Sequence, residues 1–163
     1  MKLIFKIFTI VIVLSIVLLG YISYNNNQFD GENLPIQIQA KLKEKEYHIR
    51  KLIIEKYNMD INIPIIISNK IPDNLFGLAS YDNNHIKIIL NKNRFQESEE
   101  YMINYVLPHE YAHAMMFIFK DFTNENSGHS QRWQQICLEL EGKKCDRFVK
   151  HNDIVMGKLG SIY

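Results

Sequence analysis

Hydrophobic and polar positions follow several different periods along the chain, and each period predicts an element. From Ile7 to Ile22 a run rich in Ile, Val and Leu carries no charge; Lys2 and Lys6 precede it, and Tyr21 and Tyr24 lie at its far end. With Leu3 to Phe5 and Tyr21 to Tyr24 added, the run predicts a helix long enough to cross a bilayer, so residues 1–24 are read as an anchor. Residues 25–34 are polar, with three consecutive Asn and a Gly, and predict a linker. After Pro35, the positions Ile38, Leu42, Ile49, Leu52, Ile53 and Tyr57 fall on one helical stripe, and the Lys and Glu between them make a solvated face. Ile61 to Ser68 is β-branched and apolar and predicts a strand, with Pro64 near its edge or start. Asn69 to Asn74 is a loop. Gly77 to Tyr81 and His85 to Leu90 predict a hairpin turned by Asp82, Asn83 and Asn84. Ser98, Glu99 and Glu100 favour a helix start, and the apolar pattern then continues to about Lys120, with a kink expected at Pro108. Asp121 to Gly128 is polar and looped. Trp133, Ile136, Cys137 and Leu140 form a last helical stripe, closed by Gly142. No role beyond packing is read for Asp146 to Tyr163.

Composition adds bounds to this outline. The 163 residues suit one domain with a modest core, so residues 35–163 are taken as that domain. With 19 basic against 18 acidic residues, scattered along the chain, nothing marks an electrostatic nucleic-acid surface. The two cysteines, Cys137 and Cys145, make no C-x-x-C pair; they are two buried thiols or, in an oxidising compartment, a bridge. The N-terminal run has a rival reading as a cleaved signal peptide, but Leu18 to Ser23 offers no A-x-A-like cleavage site. Lys2 and Lys6 precede the run, and Asp30 and Glu32 are the first charges after it. The positive-inside rule therefore keeps the N-terminus in the cytoplasm and places the domain outside, periplasmic or extracellular.

The candidate chemistry sits in Val106-Leu107-Pro108-His109-Glu110-Tyr111-Ala112-His113-Ala114, which contains H-E-x-x-H. On a helix His109 and His113 share a face and can share one metal ion, while Glu110 beside them can reach a water without binding the metal. Apolar flanks bury this helix, and buried His and Glu need partners. Zinc suits two imidazoles and requires a third protein ligand. Met116 and Phe119 stand where a metzincin would have Gly and His, which excludes that class. His129, Glu125, Glu139 and His151 are the downstream candidates. His129 is preferred because it opens a helix after a loop long enough to fold back. Trp133 is read as packing beside the site, with orientation of His129 as the sharper alternative; Tyr105 and Tyr111 are read as packing, with a hydrogen bond to an oxyanion as the alternative.

These motifs together resemble the SprT-like zinc metalloproteases, which include the Spartan proteases. The resemblance rests on Val106-Leu107-Pro108-His109-Glu110-x-x-His113, on Gly128-His129-x-x-x-Trp133, and upstream on Gly77-x-Ala79 and Ile86-x-Ile88-x-Leu90-Asn91. It implies His109, His113 and His129 as zinc ligands and Glu110 as the catalytic glutamate. Ser130 departs from the Gly usual after the third His, a downstream zinc-binding cysteine segment is absent, and the anchor is foreign to members acting on DNA–protein crosslinks. The expected fold is a small zincin-like α+β domain, with a short sheet packed on helices that include the H-E-x-x-H helix, preceded by one transmembrane helix. The expected activity is zinc-dependent hydrolysis of peptide bonds in a protein or peptide substrate at a membrane, without nucleic acid. The alternatives are a non-proteolytic zinc-binding membrane module and a cytoplasmic SprT-like protein acting near nucleic acid.

Overall fold

The computed structural model describes residues 2–31, 33–72, 74–121 and 129–146. Its chain divides into two compact units, Met1–Leu34 and Pro35–Tyr163.

The first unit is one helix, α1 (Lys2–Gly31). Every side chain from Ile4 to Asn25 is exposed, and this is the one segment among the described residues long and apolar enough to span a membrane. At 1.5 Å per residue it covers about 33 Å, slightly more than a hydrocarbon core. Two hydroxyls in its apolar run stay inside the helix: Thr9 donates to the Phe5 carbonyl and Ser15 to the Val11 carbonyl, so neither needs a partner in an apolar medium. The segment expected to be a linker from Asn25 is helical as far as Gly31. Adding residues to an existing helix gains a hydrogen bond for each residue fixed, and that outweighs the weak turn preference of Asn.

The second unit is a mixed α+β domain. Helix α2 (Ile36–Tyr57) follows Pro35 and buries Leu42, Ile49, Leu52 and Ile53 along the expected stripe. It ends at Asn58, whose left-handed backbone (φ 53°) lets its N–H bond back to the Ile54 carbonyl. Three strands form a sheet in the order β1-β3-β2. Strand β1 (Ile65–Ser68) is shorter than the sequence suggests, starting only after Pro64. Proline has no N–H to extend the ladder backward, although its carbonyl still accepts from Ile88 N–H at 2.9 Å. Strands β2 (Gly77–Asp82) and β3 (His85–Asn91) form the hairpin; Asn83 and Asn84 turn it with φ of 48° and 65°, the left-handed pair that a two-residue turn requires. Asp82 pairs with His85 as the last rung, and His85 is exposed there.

Two short helices follow: α3 (Lys92–Glu97), absent from the sequence reading and capped by the Asn91 side chain accepting from Asn93 N–H at 3.1 Å, and α4 (Glu99–Tyr101), which starts where the sequence suggests and is capped by Ser98. A π turn, Met102–Val106, leads into α5 (Leu107–Ile118), and α6 (Gln131–Glu139) closes the described chain. The π turn lies just before Pro108, the position where a kink is expected. In a regular helix the Pro108 ring would meet the carbonyl four residues earlier; in the wider turn Leu107 N–H bonds to Met102 and the clash is relieved before His109. Helix α5 packs across β2 and β3 on one side and against α6 on another, while α2 packs on the π turn. Ala79, Ile88, Leu90, Leu107, Tyr111, Met115 and Trp133 form the centre of this core.

Candidate metal centre

One turn of α5 carries His109 and His113, with ring centroids 5.0 Å apart and Nε2 atoms 3.3 Å apart. His129 lies just before α6, and its Nε2 is 3.0 Å from that of His109. One nitrogen from each ring falls within 4.8 Å of the others, and no other group of this kind occurs among the described residues. Three ring nitrogens bound tetrahedrally to one zinc at about 2.0–2.1 Å would be separated by about 3.3 Å. The donor set therefore fits a single ion. Burial, with the neighbouring His129 second, pulls the pKa of His109 down to about 4; burial, followed by His109 and His129, pulls that of His113 down to about 3. Both rings are thus neutral at pH 7 and keep the lone pair a metal needs.

Glu110 is 6% exposed and packs against the edge strand β2. Burial pushes its carboxyl up to about 8, while the hydrogen bond from the Ala79 backbone N–H pulls the other way. That N–H is available because Phe76 accepts from Asn91 N–H at 2.9 Å, which by alternation turns the groups of Ala79 away from β3. Gly77 makes the close approach possible. A Cβ there would lie 2.9 Å from Glu110 Cγ and 3.0 Å from both Glu110 Oε1 and Val106 Cγ1. The sequence reading included Gly77-x-Ala79 in the family pattern without giving it a role. Only strand pairing reveals that it seats the glutamate.

Helix α6 is fixed at both ends. Ser130 caps it, accepting from Trp133 N–H at 3.2 Å. Arg132 donates to Asp121 at 2.8 Å, and its guanidinium lies 4.9 Å from the Phe119 ring. Glu139 accepts from the Tyr57 hydroxyl of α2 and from Gln135 at 2.9 Å, so this alternative ligand is engaged away from the histidine cluster. Glu125 and His151 lie outside the described residues. A disulfide joins Cys137 to Cys145 beyond the helix end, and Gly142 sits so close that a Cβ would lie 2.6 Å from the Cys137 sulfur. Tyr111 is fully buried and its hydroxyl has no partner among the described residues; the charges acting on it, Glu46 and Arg50, belong to α2. Tyr105 stacks on Tyr101 at 4.9 Å.

A mixed α+β domain whose H-E-x-x-H helix meets a third histidine from the next helix defines a candidate metallohydrolase. The SprT-like family model matches residues 51–151, more than half of the chain, and the protein belongs to that family, a family of zincin-like metalloproteases. No curated protein and no solved structure matches the chain.

Proposed function

We propose that the protein is a membrane-anchored, zinc-dependent metallopeptidase that hydrolyses peptide bonds of a protein substrate. The observation that carries this reading is the convergence of three imidazoles within 4.8 Å beside a buried glutamate. His109, His113 and His129 would hold the ion. When bound, zinc supplies Lewis-acid activation of a carbonyl and of water. Glu110, ionised when the charge of a bound cation offsets the burial that raises its pKa, does the proton work: it takes a proton from the attacking water and delivers it to the leaving amine. The Ala79 N–H and the gap at Gly77 hold its carboxylate in one place for both transfers. Glu110→Gln keeps the size and hydrogen bonding of the side chain but cannot accept the proton. It should retain zinc and lose hydrolysis of an unfolded protein by orders of magnitude. Equal activity in the wild type and the variant would reject the assignment.

In this reading α1 is an uncleaved signal anchor with its N-terminus in the cytoplasm and the domain outside. The charge bias of Lys2 and Lys6 supports the orientation. The Cys137–Cys145 bridge supports it independently, since disulfides persist in oxidising compartments and are rare in the cytosol. The full chain should stay in the membrane fraction through a carbonate wash, and protease added outside spheroplasts should digest the domain. Protection of a membrane-bound domain would reverse the orientation.

A further inference from the structure

Trp133 touches every member of the histidine cluster. Its ring centroid is 4.6 Å from that of His109, 5.1 Å from His113 and 4.4 Å from His129. The rings of His109 and His129 meet it edge to face, at 68° and 81°, while that of His113 lies across it at 30°. It is completely buried, and its indole N–H finds no acceptor among the described residues. Ring surface, rather than a hydrogen bond, therefore makes these contacts. The residue sits one turn after His129, and its backbone N–H is held by the Ser130 cap, so one rigid side chain of α6 meets two ligands carried by α5. An imidazole free to rotate must be ordered when a metal binds, and a wall that already fixes three rings removes that cost.

We propose that Trp133 is a positioning residue for the metal centre: it holds the three imidazoles at metal-binding separation before a metal arrives. This rests on reading the cluster as a zinc site. Trp133 is not a ligand and contributes no proton. Its effect is on affinity, through the geometry of the three rings, as outer-shell partners of metal ligands act elsewhere.

The test uses the full chain in detergent micelles. Zinc affinity is measured by competition with a chromogenic chelator, and thermal stability is measured on the metal-free form. Trp133→Leu keeps an apolar side chain and removes the aromatic wall; its zinc Kd should rise about ten- to a hundred-fold. Trp133→Phe restores a flat ring without the N–H and should recover most of the affinity. Ile136→Ala, at a buried position one turn further along α6, is the packing control: it should lower the stability of the metal-free form with little change in Kd. Because the chain has a single tryptophan, its fluorescence reads the same geometry. Cobalt added to the metal-free wild type should quench most of the emission, and excess zinc should restore it. The proposal is overturned if Trp133→Leu binds zinc as tightly as the wild type, or if Ile136→Ala weakens zinc as much at equal loss of stability. Emission indifferent to bound cobalt would overturn it too. A wild-type chain that takes up no zinc would instead overturn the functional reading, and this inference with it.

Discussion

The two halves of the metal centre are built by different means. His109, Glu110 and His113 occupy one turn of α5, and the helical period alone puts the two imidazoles on one face. His129 and Trp133 come from a separate segment, and α6 is held in place by groups outside it: Asp121 on Arg132, Tyr57 on Glu139, and Cys145 on Cys137. The first half is a local structure buried in the core, whereas the second is only as well placed as its tethers. On the proposed function, damage in α5 therefore acts on the chemistry itself, and damage around α6 acts through placement.

The most severe break in this contrast is loss of His129, the proposed ligand just before α6. His129→Ala should lose most of the bound zinc, while Glu139→Ala, on the same helix, should keep about one ion per chain by metal analysis. The reverse result would move the third ligand to Glu139. A smaller effect comes from a tether. The bridge closes a loop with a sequence separation of 8. Removing it with Cys137→Ser and Cys145→Ser together should cost about 2.5 kcal/mol by loop entropy. The loss should show as a lower denaturation midpoint, with zinc recovering part of it because the ion binds the folded form. An unchanged midpoint would mean that the other contacts suffice to hold α6.

The mildest change sharpens the contrast from the α5 side. Gly77→Ala brings a methyl group against Glu110 Cγ and Val106, and overpacking of this kind costs about 1–3 kcal/mol. Zinc content should stay unchanged, and kcat should fall about tenfold, since about 1.4 kcal/mol of barrier is a factor of ten. An unaltered kcat would mean that Glu110 does not need its present seat.

Much of the fold could be read before any coordinates because its signals are local. The α2 stripe, the Asn83-Asn84 turn and the α6 stripe each repeat a backbone period within a few residues. The errors occur where neighbours decide. Helix α1 runs past Asn25 because propagation outweighs the weak preferences of polar residues. Strand β1 shortens because a ladder needs donors that Pro64 lacks. Helix α3 went unread although Asn91 is a capping residue and Arg94 and Glu97 pair at 2.6 Å, since six residues carry too little periodicity to register.

By itself the sequence determined the turn of α5 that carries His109, Glu110 and His113, the apolar helix at the N-terminus and the likeness to the SprT-like family, because each is written in contiguous residues with a fixed period or spacing. Only the tertiary structure decided that Trp133 contacts all three imidazoles, that Gly77 and Ala79 seat Glu110, that Cys137 and Cys145 are joined, and that a π turn carries the chain into Pro108. Each of these, apart from the turn, brings together residues from separate elements. Which face meets which is set by how strands pair and helices pack, and no local pattern encodes that.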